Sequence, residues 1–344
     1  MRSTYRWCVA IFFIYKHLFT SVTKGIKYIA LSHPLKEDKS IKGVLLMAKF
    51  KIFTDSCSDL STEIRKQYDI EYVHMGIVVD GVEKRADLDW VDYKPEEFYG
   101  WLKEGKHVKT TQVSVPEFLD CFRPALKEGY DVIYIACSSK LSGSVSTCET
   151  LVKPQLLEEF PDRKVIAIDS LNASASEGLI AIEAAKLRAA GKSVDEVANW
   201  IEENKLCFNF FATVDTLTYL KNAGRIKGTK AFFGNIMGVK PIFISDALGN
   251  NFVIKKAKGT KNSLEELISG LKEAYLPEKG AEVFIGQGLA QERAEFIKER
   301  LKAELNIEAK ITWIGPIVGT TCGPGVIAVY CLGKEVTRYE GDGK

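Results

Sequence analysis

Histidine is scarce in this chain, and cysteine occurs without any pairing that suggests a metal. The four histidines are His17, His33, His74 and His107, and no two stand at the spacing of a zinc ligand pair. A zinc or iron centre is therefore not expected. Eight cysteines are scattered with no C-x-x-C among them, which argues against a disulfide framework or a dithiol redox motif. Cys137, Cys207 and Cys331 lie in apolar runs and read as buried free thiols of a reducing cytosol. No basic stripe marks a nucleic-acid partner. No G-x-x-x-x-G-K-[ST] occurs, so a P-loop is excluded. Internal repeats and low-complexity linkers are missing too, which leaves tightly packed units.

Charge divides unevenly. Residues 1–46 carry eight Lys/Arg against two Asp/Glu, a net of +6, in a chain of formal net charge +2. The remainder has 39 basic and 43 acidic residues, a net of −4. A mildly acidic body argues against nucleic acid. Residues 7–15 (WCVAIFFIY) form an apolar run, far shorter than the roughly 20 residues that span a bilayer. No small-x-small cleavage site follows it. Residues 1–46 read as an extension, either upstream of a true start at Met47 or disordered. The alternative is a targeting or membrane-surface segment.

From Phe50 onward, short apolar strands alternate with amphipathic helices, the pattern of a parallel sheet covered on both faces. Strands are expected at 51–54, 72–79, 132–136 and 164–168. Helices are expected from about residue 60 and at 94–104, 116–128, 144–158, 177–190 and 194–204. Ser58 or Asp59 is the expected cap of the first helix. Past residue 206 the pattern becomes mixed. Strands are expected at 208–214, 240–245, 251–256, 282–287, 310–317 and 326–331, and helices at 216–223, 231–237, 263–274 and 290–304. Residues 246–250 (DALGN) read as a hairpin turn, and the glycine-rich 315–325 as a turn between strands. The expected architecture is α/β in two domains. An N-terminal parallel-sheet domain spans 47–205, a C-terminal α+β domain spans 206–340, and the ligand site lies between them.

The densest chemistry follows the strand at 131–137. Ser138-Ser139-Lys140-Leu141-Ser142-Gly143-Ser144 puts hydroxyls and a glycine where a strand hands over to a helix, the place where open α/β sheets bind ligands. No base, metal ligand or strong acid accompanies them, so the loop suits holding an oxygen-rich group. A nucleophilic Ser142 would need a base within hydrogen-bond reach. Residues 109–114 (KTTQVS) offer two hydroxyls before a helix start at Pro116, either an anion site or simply a cap by Ser114. Residues 55–59 (DSCSD) read as a two-carboxylate ligand or metal site, or as a cap and turn. Arg225 stands just past a helix end, where a capping cation belongs.

Taken together, seven segments in order resemble the DegV family: TDSCSDL at 54–60, KTTQVS at 109–114, SSKLSGS at 138–144, IDS at 168–170, TLTYLKNAGRI at 216–226, KPI at 240–242 and IGPIVGTTCGPG at 314–325. The resemblance covers 49–332. It implies a cytoplasmic, two-domain lipid-binding protein with a long-chain fatty acid buried between the domains and no catalysis of its own. FakB-type members present the fatty acid to a separate ATP-dependent fatty acid kinase, which makes acyl phosphate for phospholipid synthesis. By this resemblance the carboxylate contacts are Thr110, Thr111, Ser142 and the Gly143 backbone. Thr321 stands where the family's last motif has histidine, and it too is expected to contact the carboxylate, as a hydrogen-bond donor. Arg225 matches the arginine of the family's GGR, with Ala223 for its first glycine. Lys258 falls where FakB-type proteins have an arginine implicated in kinase engagement. Both are expected in kinase interaction or phosphate handling.

No cofactor and no metal is implied, only the fatty acid as ligand. The partners implied are the fatty acid, a kinase and a transient membrane contact. Thr321 cannot carry charge, so a buried carboxylate without a cationic neighbour would lean toward the neutral acid. The hydroxyls would then hold the head group largely by themselves. Phe208–Phe211, Phe232, Phe233, Ile236 and Met237 are either ordinary core or the lining of the acyl channel. Two other readings stay open: a carrier uncoupled from any kinase, and a serine-dependent hydrolase or phosphotransferase using Ser142.

Overall fold

A computed structural model describes residues 49–227 and 238–338. The expectations for residues 1–46 and for 231–237, with Phe232, Phe233, Ile236 and Met237, lie outside the described residues. In the N-terminal region the order is β1 (Phe50–Asp55), α1 (Thr62–Tyr68), β2 (Ile70–Val73), β3 (Gly76–Val79), β4 (Val82–Arg85), α2 (Pro95–Lys103), β5 (Val108–Thr111), α3 (Val115–Lys127) and β6 (Asp131–Ala136). It continues with α4 (Ser144–Thr147), a π-helical turn (Cys148–Val152), α5 (Lys153–Glu159), β7 (Val165–Asp169), α6 (Ala175–Ala189) and α7 (Val194–Asn204). The C-terminal region runs β8 (Phe208–Thr213), α8 (Thr218–Ala223), β9 (Val239–Ser245), β10 (Asn251–Lys258), α9 (Gly259–Ala274), β11 (Phe284–Gln287), α10 (Gln291–Leu305), β12 (Lys310–Trp313), α11 (Pro316–Cys322) and β13 (Ile327–Leu332).

Strands β2-β1-β6-β7 form a sheet that is parallel throughout. Five consecutive residues of β6 are buried, as a strand covered on both faces requires. Strands β10-β9-β8-β13-β11-β12 form the second sheet, in which only β11 and β12 pair in parallel. The α/β expectation holds: a parallel-sheet N-terminal region is followed by a sheet-plus-helix C-terminal region.

Several elements differ from expectation. The run 72–79 is two strands in two sheets. It breaks at His74 and Met75, whose N–H groups donate to the side chains of Glu117 (3.2 Å) and Ser56 (3.0 Å) instead of to a ladder. Strand β3 then centres a small antiparallel sheet, β4-β3-β5. Strands β4 (VEKR) and β5 (VKTT) were not expected, because short polar segments carry no alternating apolar signal. The first helix starts later, with Ser61 as its cap, so neither Ser58 nor Asp59 caps it. The 144–158 helix is interrupted by the π-helical turn. The glycine-rich 315–325 is not a simple turn: Pro316 opens α11, and strand β12 stops at Trp313. A side chain at Gly319 would put its Cβ 2.8 Å from both Phe98 and Tyr99, so this glycine lets α11 lie against α2.

Candidate functional site

A cavity of about 150 Å³ is lined by β8, β9 and β13, by segments following β1 and β6, by β5 and by α11. The register of the mixed sheet creates its floor. Phe243, Ala212, Ala328 and Gly286 lie side by side across β9, β8, β13 and β11. Two residues along, on the same face, Phe210, Tyr330 and Phe284 form the next row. Side-chain size falls from Phe243 to Ala212 and Ala328, which leaves a trough along these strands, while the space over Gly286 is taken by Ile314 and Tyr330. Phe210 bounds it, with ring centroids 6.0 Å from both Phe243 and Tyr330.

Of the expected apolar lining 208–211, only Phe210 reaches the cavity. Phe208 packs against Trp200. Phe211 points to the opposite face, where Gly270 of α9 makes room for its ring. The alanines of β8 and β13 were not singled out in the sequence, although small residues in otherwise bulky strands were the available signal.

The cavity's rim is polar. Thr110, Thr111, Ser142, Gly143, Thr321 and Arg225 all line it. The threonines precede helix α3 as expected, but they stand in a strand that was not expected. They end β5, with Thr110 opposite Ile77 and Thr111 opposite Gly76, while Ser114 caps α3. Neither threonine hydroxyl has a hydrogen-bond partner among the described residues. The Ser142 N–H donates to the Ser138 carbonyl (2.9 Å), which folds the loop back on itself. Ser142 Oγ sits 2.9 Å from Ser144 Oγ and accepts the Ser144 N–H (3.2 Å). A Cβ at Gly143 would lie 2.1 Å from Gln112 Oε1, so any side chain there would displace the end of Gln112.

Arg225 crosses from the C-terminal region to this loop. Its Nε donates to the Leu141 carbonyl (3.0 Å) and its Nη1 to Ala223 (2.7 Å). Among the described residues it is the one cationic side chain lining the cavity, so the hydroxyls do not stand without a charge beside them. Thr321 donates its hydroxyl to the Val318 carbonyl within α11 (2.9 Å), which engages the proton it was expected to offer. Lys258 lies apart from the cavity, at the exposed end of β10. Neither His74 nor His107 lines the cavity. His74 Nδ1 is instead 2.6 Å from Glu117 Oε1.

Beneath the rim lies a buried acidic knot. Residues 55–59 form neither a helix cap nor an exposed carboxylate pair. Asp55 accepts the Tyr134 hydroxyl (2.7 Å) and the N–H groups of Cys57 (2.9 Å) and Cys137 (3.1 Å). Asp59 accepts the Gly315 N–H (2.8 Å) and the Ser174 hydroxyl, and Ser174 in turn accepts from Tyr330 (2.7 Å). Burial raises the Asp59 carboxyl from 3.8 to about 7, against the lowering effect of these donors. Asp59 also accepts the Thr312 hydroxyl through its carbonyl (2.9 Å), so one residue ties the loop after β1 to the segment leading into α11.

A family model described as "Uncharacterised protein, DegV family" matches residues 49–334. The chain belongs to the DegV family. It is 34% identical over 288 residues to the DegV domain-containing protein CPE0026 of Clostridium perfringens, covering 83% of this chain and 98% of that one. Among solved DegV structures, the fold matches a lipid binding protein from Thermotoga maritima (26% identity, TM-score 0.71, 84% of this chain and 100% of the other). It also matches a DegV family protein from Thermus thermophilus described for its fatty acid binding (27% identity, TM-score 0.73, 83% and 100%). Among the described residues of this DegV chain, no helix is long and apolar enough to cross a membrane.

Proposed function

We propose that this DegV protein binds a long-chain fatty acid, carboxylate at the rim and acyl tail along the trough. The observation that carries the reading is one cavity with unengaged hydroxyl donors and a guanidinium at its rim and an apolar floor of Phe210, Ala212, Phe243 and Ala328. Thr110, Thr111, Ser142 and the Gly143 backbone take the head group, and Arg225 supplies the charge that favours the ionised form. Thr321 contributes wall more than donor. Each methylene sequestered adds about 0.8 kcal/mol. The solved relatives described as lipid and fatty acid binding support this reading. Among the described residues, the one side-chain hydrogen-bond partner of Ser142 is another serine hydroxyl, which favours a holding role over nucleophilic attack.

Native mass spectrometry of the purified protein tests it. A co-purified fatty acid is expected, and an apolar-ligand-free protein that also fails to take up added fatty acids of several chain lengths would refute it. The finer reading is that the protein presents its ligand to a fatty acid kinase, with Arg225 and Lys258 at the contact. ATP and such a kinase should then yield acyl phosphate. Lys258→Ala should slow that step while leaving fatty acid retention intact. Loss of retention in this variant would remove Lys258 from the kinase contact. We further propose a boundary between two domains near residue 206, with residues 1–46 outside both.

A further inference from the structure

Glu177 stands in the first turn of α6 with 0% exposure, and its Oε2 has no hydrogen-bond partner among the described residues. Its Oε1 accepts only the Asp55 N–H, at 3.4 Å. A buried carboxyl oxygen left bare costs roughly 1–3 kcal/mol or more. Two thiols converge on it. The sulfurs of Cys57 and Cys137 and a Glu177 carboxylate oxygen all lie within 4.8 Å of one another. Both cysteines are buried and free, and Met75 Sδ lies 3.6 Å from Cys57 Sγ. None of these groups makes an ion pair among the described residues. Burial, with the neighbouring Asp55 next, pushes the Glu177 carboxyl well above its ordinary range. The cluster holds acids and sulfur and lacks a cation.

We propose that Cys57, Cys137 and Glu177 form a binding site for a thiophilic divalent cation of the zinc class. Two sulfurs and one carboxylate oxygen are three ligands of a tetrahedral set, and the fourth position is left to water or to the Met75 thioether. Zinc–sulfur bonds of about 2.3 Å put tetrahedral sulfurs near 3.8 Å apart, so a cluster this tight closes by small rotamer changes. The supporting shell is already built. Asp55 accepts the N–H groups of both cysteines and clamps them just past the ends of the adjacent parallel strands β1 and β6. Such outer partners fix ligand orientation. The ligands come from three separate segments, so no spacing pattern along the chain reveals them.

The inference does not depend on the fatty-acid reading. The full chain, kept reduced, is titrated with Co²⁺ and separately with Cd²⁺. One equivalent should bind with a thiolate-to-metal charge-transfer band in the ultraviolet, and Zn²⁺ should displace the cobalt. The band should vanish in Cys57→Ser/Cys137→Ser, and affinity should fall about tenfold or more in Glu177→Gln. A reduced wild-type protein without the band overturns the proposal. So does an undiminished band in the double-serine variant, folded by circular dichroism, because the metal would then sit on other cysteines.

Discussion

The rim of the cavity and the acidic knot beneath it are opposites. At the rim, hydroxyls and a guanidinium stand with no carboxylate among the described lining residues. In the knot, Asp55, Asp59 and Glu177 are buried with no cation paired to them among the described residues. The carboxylates of Asp55 and Asp59 are nonetheless engaged, by backbone N–H groups and hydroxyls that hold loops together. The hydroxyls of Thr110 and Thr111 at the rim hold nothing among the described residues. Polar groups with partners inside the fold serve architecture, whereas donors left open beside an apolar trough await a ligand. Burial alone does not distinguish a structural acid from a binding site; what decides is whether the group's partners are already present.

The largest expected effect comes from closing the trough. Ala212→Phe should abolish fatty acid retention while the protein still folds, as read by mass spectrometry and thermal melting. Retention equal to wild type would move the acyl tail elsewhere. Next is the knot. Asp59 keeps its proton up to about pH 7 in the folded protein and loses it near 3.8 when unfolded. The native state therefore binds more protons over that window, so stability falls as pH rises through it. Three pH units correspond to about 4 kcal/mol. Asp59→Asn should flatten that decline in denaturant unfolding measured from pH 4 to 7, and an unchanged slope would sink the assignment.

Smaller effects separate rim from knot. Ser142→Ala removes one hydrogen bond to a charged head group, about 1.5–3 kcal/mol, and should weaken fatty acid binding by about ten- to a hundredfold, while the loss of its bonds to Ser144 costs only about 1 kcal/mol of stability. Tyr330→Phe removes the donor to Ser174 and should cost about 1 kcal/mol of stability. If Ser142→Ala lowered the melting temperature instead of the affinity, the contrast between the two regions would collapse.

Legibility followed the range of the interaction. The serine loop after β6 was readable because strand, loop and helix are consecutive and hydroxyl-rich. The hairpin of β9 and β10 was readable from its turn residues. The split at His74 was not, because it depends on Glu117 and Ser56, which are distant in sequence. Helix α11 looked like a turn because its one internal glycine, Gly319, serves packing against α2, not bending. The DegV motifs brought Thr110, Thr111, Ser142, Gly143, Arg225 and Thr321 to attention, and all six line one cavity. What no local pattern revealed is that Thr321 has its proton engaged and that Asp59 joins two segments.

The sequence by itself determined the alternation of strands and helices, the absence of any P-loop, and the hydroxyl-bearing loop at a strand end. These follow from residue type and spacing along the chain. Only the tertiary structure decided the trough and the knot. Ala212 meets Ala328 through sheet register, and Cys57, Cys137 and Glu177 meet because parallel strands end side by side under one helix start. Such contacts depend on which strands pair, and pairing is set by the whole fold.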